Sequence, residues 1–230
     1  MKKLFIILMT VVLMGSQAQA QMKPTKRYAS VYEQPTYADM DMVKCGKGWA
    51  SYPIKVKGGG KAPGVVTLTK AFNERWNIAV VSGILKAARN PKFTYAEDKE
   101  YGGETIVDRK NGYMCEDCGG ADGDWMESCV WRRDNGHRLF AIRVGGSCDP
   151  DIEFVCFFDY DPDTETMTPE ESPADTFSPD VMDYGYHLPR KGKDFVITEY
   201  LVGENKKIDN VYTFNGQKHV FAYQKTEAWE

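Results

Sequence analysis

Residues 125–144 read WMESCVWRRDNGHRLFAIRV, two strand-like runs, 125–133 and 137–144, on either side of Asp134-Asn135-Gly136. Asn-Gly between alternating apolar runs is a hairpin signal, because both central residues of a type I′ turn need positive φ. Three further segments place a turn between strand-like runs: Asn111-Gly112, Asp161-Pro162-Asp163-Thr164 and Asn215-Gly216. Beside them the chain alternates with period two. Ile152, Phe154, Cys156, Phe158 and Tyr160 are expected on one face, with Glu153 and Asp159 on the other. Phe195, Ile197 and Leu201 alternate likewise, ahead of a last pair of strands around Tyr212 and Phe221. The segments 135–140 (NGHRLF) and 215–221 (NGQKHVF) look alike. Yet the three Asn-Gly turns stand 24 and 80 residues apart, which excludes a fixed repeat and with it a propeller or solenoid.

Upstream the period changes. From Thr69, which reads as the N-cap, Phe72, Trp76, Ala79 with Val80, Ile84 and Ala87 with Ala88 recur at helical spacing until Asn90-Pro91. Gly83 and the β-branched Ile78, Val80 and Val81 weaken the middle, so the segment reads as one helix or two shorter ones. The expected fold class is α+β: an N-terminal helical segment packed on a mainly antiparallel β-meander of about seven to nine strands, stapled by disulfides. Residues 67–230 form one such domain. Residues 21–66, rich in Tyr, Pro and Gly, read as an extended N-terminal arm with one strand near Trp49–Val56, and Gly58-Gly59-Gly60 as a flexible linker. Pro162, Pro169, Pro173, Pro179 and Pro189 mark 162–189 as a long connection, a surface loop or a lid.

The N-terminus sets the compartment. Lys2 and Lys3 precede an apolar run from Leu4 to Leu13 broken only by Thr10, and Ala18-Gln19-Ala20 supplies small residues at −3 and −1. Residues 1–20 read as a cleavable signal peptide, too short in its apolar part for a permanent span, and the chain as exported to the periplasm or beyond. Cleavage takes Lys2 and Lys3 from 29 basic residues and leaves 33 acidic ones, moving the net charge from −4 to −6. That balance disfavours nucleic acid and anionic membranes as partners. No transmembrane segment is expected after cleavage.

Six cysteines, Cys45, Cys115, Cys118, Cys129, Cys148 and Cys156, read in an exported chain first as disulfides. Six allow 15 pairings. The hairpin about residues 135–136 brings 117–124 and 145–151 to one end of the sheet, which suggests Cys118 with Cys148. A redox reading of Cys115-Glu116-Asp117-Cys118 needs a lowered pKa, and the two acids between them work against it. A zinc site would draw on Cys115, Cys118, Cys129 and Cys148, whose spacings of 2, 10 and 18 intervening residues lack a paired knuckle pattern.

Asp159, Asp161, Asp163, Glu165 and Glu170 occupy positions 1, 3, 5, 7 and 12 of a calcium-loop pattern. Thr164 stands where that loop needs Gly, Pro162 intrudes, and a strand precedes instead of a helix. A plain acidic hairpin tip is the preferred reading. No catalytic motif is present. Any of His137, His187 and His219 can join a constellation only through the fold. No cofactor is expected. The expected function is therefore a non-catalytic exported or envelope-associated module that binds a protein or glycan. The alternative is an extracytoplasmic hydrolase whose site gathers dispersed His and Asp/Glu residues. A pocket uniting a histidine with carboxylates favours the hydrolase, and a flat aromatic patch favours the binder.

Overall fold

A computed structural model describes residues 53–119, 123–146, 154–176 and 184–228. Within them the chain runs β1 (Ile54–Lys55), α1 (Val65–Trp76), α2 (Ala79–Ala87), β2 (Tyr95–Asp98), β3 (Gly103–Asp108), β4 (Tyr113–Asp117), β5 (Asp124–Arg132), β6 (Arg138–Gly146), β7 (Phe154–Asp161) and β8 (Thr166–Glu170). It continues with β9 (Tyr184–His187), β10 (Asp194–Leu201), β11 (Lys206–Phe214) and β12 (His219–Ala228). Every strand pairing among the described residues is antiparallel.

The strands make two sheets where one meander was expected. Eight strands run in the order β1-β8-β7-β6-β5-β4-β3-β2 and four in the order β12-β11-β10-β9. The register shows why two are needed. Cys129 stands opposite Ala141 and Ala141 opposite Phe157, whereas Ser128 stands opposite Ile142 and Ile142 opposite Cys156. Both of these rows are buried, so the large sheet needs cover on each face. One face carries Met114, Met126, Phe140, Ile142, Cys156 and Phe158 against Leu68, Phe72, Trp76 and Ile84 of the helices. The other carries Cys129, Trp131, Leu139, Val155 and Phe157 against Phe195, Ile197 and Phe214 of the small sheet. The architecture is three layers, helices on sheet on sheet.

Several local expectations change. The helix starts at Val65 behind Gly64, with no side-chain cap. Thr69 is instead buried within it, its hydroxyl 3.0 Å from that of Ser128. The helical stripe divides at Asn77, which adopts φ +52°, and not at Gly83. Asn73 stitches the break, accepting from the Ile78 amide at 2.7 Å and donating to Ser82 at 2.8 Å.

The three Asn-Gly turns do close hairpins, but not as type I′. Only their glycines have positive φ, at +68°, +90° and +97° for Gly112, Gly136 and Gly216. Their loops exceed two residues, since Asp108 pairs with Tyr113, Arg132 with Arg138 and Phe214 with His219. The asparagines serve through their side chains: the Asn135 carbonyl takes the His137 amide, and that of Asn215 takes the Gln217 and Lys218 amides.

The glycine-rich run, expected as a linker, is fastened to the β7–β8 hairpin. Tyr160 donates to the Gly60 carbonyl at 2.6 Å, and the Gly60 amide donates to Glu165 at 2.8 Å. The Pro-rich stretch is not one loop either, for it contributes β8 and β9. Pro169 is tolerated inside β8 because β1 pairs only with Thr166 and Met167, which leaves an open edge beside it. No helix among the described residues is long and apolar enough to cross a membrane.

Candidate functional site

A concavity of about 590 Å³ opens between the two sheets where β8 meets the β11–β12 hairpin. The small sheet supplies Tyr212, Lys218, His219 and Phe221, and the large one Leu139, Phe157 and Glu170. Glu171, Ser172 and Pro173 follow β8 along the rim. Pairing in the small sheet explains the wall. Phe214 stands opposite His219 and Tyr212 opposite Phe221, so all four lie on the side that faces the large sheet. The Tyr212 and Phe221 rings meet edge to face at 5.7 Å. Phe221 remains 55% exposed.

His219 forms the floor and is 7% exposed. Its ring lies 4.7 Å from that of Trp131, 5.5 Å from Phe214, 5.8 Å from Phe157 and 5.9 Å from Phe195. Burial in this aromatic box pushes the imidazole pKa down to about 4. The Lys193 carbonyl and Asp194 oppose the shift and Arg133 reinforces it. The Lys193 oxygen lies near enough to act on the charge, yet neither ring nitrogen makes a hydrogen bond of normal geometry. A buried polar group left unpaired costs about 1–3 kcal/mol. The neutral ring offers one N–H and one lone pair.

Behind the groove, Arg133 binds two carboxylates. Its Nη1 donates to Asp159 at 2.5 Å and its Nη2 to Glu170, while His137 Nδ1 sits 2.7 Å from the other Asp159 oxygen. The remaining acids of the calcium pattern are also engaged or apart. Asp161 accepts from the Asp163 amide and the Thr164 hydroxyl, which holds its carboxyl below the usual range, and Glu165 accepts from Gly60. Asp163 is exposed. Among the described residues no three His, Cys, Asp or Glu side chains gather to hold a metal ion.

The cysteines separate by face. Cys115 and Cys129 point toward the small sheet and Cys156 toward the helices, and none of Cys115, Cys118, Cys129 and Cys156 is bonded to another of the four. Cys45 and Cys148 lie outside the described residues. Burial first, then the Glu127 carboxylate, pushes the Cys115 thiol up to about 12, and burial does the same to Cys129. Exposed Cys118, raised to about 11 by partial burial and then Glu116 and Asp124, follows β4. A redox pair is therefore unsupported by either thiol. Of the histidines, His219 enters the groove, His137 joins the Arg133 network and exposed His187 ends β9.

Arg133 is the residue the sequence reading missed. Its signal was a charge at the edge of an apolar strand, which marks nothing until register places Asp159 and Glu170 beside it. No protein-family model matches the chain, and no curated protein or solved structure matches it either.

Proposed function

We propose that this is an exported, non-catalytic binding module whose ligand sits in the groove between the sheets. The observation that carries the reading is the exposed Phe221 ring beside Tyr212 at the mouth of a concavity floored by buried His219. Ordinary surfaces leave single apolar side chains exposed, but an aromatic pair lining a cleft is what ligand sites offer. Export rests on the signal-like residues 1–20, and nucleic acid does not fit the net charge of −6 that cleavage would leave.

Disulfide stapling belongs to the same reading, with Cys118 and Cys148 as the favoured pair. The Cys118 amide donates to the Asp124 carbonyl at 3.0 Å, and Asp124 stands opposite Gly146, two residues before Cys148 in sequence.

A hydrolase is the second reading, because the groove does unite His219 with Glu170 and Glu171. Against it, Glu170 is tied to Arg133, and burial holds the imidazole pKa well below neutrality. The test is co-sedimentation of the secreted protein with isolated cell envelopes. Binding that is lost in Phe221→Ala, with the envelope material chemically unchanged, is expected. Release of new reducing ends or amines that stops in Glu171→Gln would overturn the binder in favour of the hydrolase.

A further inference from the structure

We infer that the helical hairpin carries a second binding site, separate from the groove, which takes a small soluble amphiphilic dianion of the alkyl phosphate class. A cavity of about 350 Å³ opens between α1 and α2, on the opposite side of the large sheet from the groove. Its wall carries Lys70, Lys86 and Arg89 and no acid. Helical spacing brings these charges together. Val66, Lys70 and Asn73 form one edge of α1 at i, i+4 and i+7, and Ser82, Lys86 and Arg89 repeat that spacing along α2 and just past its end. The chain reverses at Asn77, and Asn73 donates to Ser82 at 2.8 Å, clamping the two helices to each other. The walls are thus fixed before a ligand arrives, which lowers the cost of binding one.

Charge decides the ligand's head. Lys70 meets Glu74 at 3.7 Å, but both side chains are more than half exposed and water screens the pair. Among the described residues no carboxylate pairs with Lys86 or Arg89. The end of α2 does not use them either, because Arg109 donates to the Ala88 carbonyl at 2.8 Å and to that of Asn90 at 3.2 Å. Three cations less the Glu74 carboxylate leave a surplus of two. A phosphate monoester, at about −1.5 to −2 near neutral pH, matches that surplus. The remaining wall decides the tail. Val66 and Leu85 are half-buried and packed on the core, and Ala88 is buried beside the cavity. A short hydrocarbon covers them, and inorganic phosphate leaves them wet. Three cations fall short of the clusters of about four to eight that hold a segment on anionic lipid, so a bilayer is not the source of the phosphate. The volume suits a small molecule, at the lower end of ligand clefts.

The experiment titrates the secreted protein with hexyl phosphate by calorimetry, with inorganic phosphate, hexanoate and hexanol run beside it. Hexyl phosphate should bind. The other three lack the tail, the second charge and the charged head in turn, and each should bind at least about tenfold more weakly. Lys86→Gln and Arg89→Gln should each weaken hexyl phosphate by about fivefold or more. Both side chains are exposed, so these variants keep the fold and its melting temperature. Lys110→Gln removes an exposed charge from the β3–β4 turn and should leave binding unchanged, which separates the site from the field of the whole surface. Hexyl phosphate that fails to bind, or that binds the double variant Lys86→Gln, Arg89→Gln as tightly as the parent, would overturn the site. Phosphate, hexanoate or hexanol matching hexyl phosphate would overturn the amphiphilic dianion as its ligand.

Discussion

The Asp134 amide donates to the Gly216 carbonyl across 2.9 Å, joining the tips of two Asn-Gly hairpins that belong to different sheets. The resemblance between 135–140 and 215–221 thus has a structural use: matched tips meet and tie the sandwich at the groove's end. Gly216 has a backbone conformation that side-chain-bearing residues rarely adopt, and the Asp134 carboxylate occupies the place of its missing Cβ. It adopts φ +97°, and a Cβ there would lie 2.4 Å from an Asp134 carboxylate oxygen. Gly216→Ala should therefore lose about 1–3 kcal/mol in urea unfolding. Gly192→Ala is the comparison, with φ +96° and nothing within 4 Å. It should lose less, since only backbone strain acts. Equal losses would show that the Asp134 carboxylate swings aside at no cost and that backbone strain alone acts at Gly216.

Arg133 holds Asp159 and Glu170 together from within the sandwich, its side chain 9% exposed. Arg133→Met leaves both carboxylates without their cation and should cost about 2–4 kcal/mol, below the usual range for fully buried pairs because the acids are partly wet. Adding Asp159→Asn and Glu170→Gln should recover part of that loss. A triple variant no more stable than Arg133→Met would mean that the guanidinium acts through packing alone.

How far all this was legible in the sequence follows from how local each signal is. Turns at Asn111-Gly112, Asn135-Gly136 and Asn215-Gly216 are decided by neighbouring residues, and all three hairpins formed. The second sheet is less legible because alternation along β7 marks only one of its two buried faces. Yet Val155 and Phe157 are as apolar as Cys156 and Phe158, and an unbroken apolar run marks burial on both sides. The site was less legible. His219 and Phe221 share a face by period two, but Arg133 and Glu170 are 37 residues apart and meet only through strand register.

The thiols should divide by burial. Cys115 and Cys129, both raised to about 12, should resist alkylation at pH 8 until the protein unfolds. Digestion of the unreduced secreted protein should yield a peptide linking Cys118 to Cys148. Native alkylation of Cys115 as fast as that of reduced Cys118 would contradict the placement of Cys115 between the sheets.

Calcium should leave the protein unmoved. Asp159 and Glu170 are committed to Arg133, and Asp161 and Glu165 to backbone or hydroxyl donors. An ion at a thousand times its dissociation constant would stabilise by about 4 kcal/mol, several degrees of melting temperature. A melting curve at one millimolar calcium that matches the curve in chelator is expected. A rise of several degrees would restore the calcium reading of residues 159–170.

The pH dependence of stability carries the signature of His219. Burial among Trp131, Phe157, Phe195 and Phe214 holds its folded pKa at about 4, against 6.5 for a free imidazole. The unfolded chain therefore takes up this proton first as pH falls. The contribution of the neutral ring is whole above pH 6.5 and is lost progressively down to about pH 4. The Lys193 carbonyl and Asp194 oppose that shift and Arg133 adds to it, and burial outweighs them. His219→Phe removes the linkage and leaves the carboxylate titrations common to both proteins. The difference in unfolding free energy between the two, set to zero at pH 7.5, should move against the wild type by about 2 kcal/mol at pH 5. It should approach about 3 kcal/mol below pH 4. Parallel pH profiles for the two proteins would mean that His219 is solvated or firmly paired, against its place among the four rings.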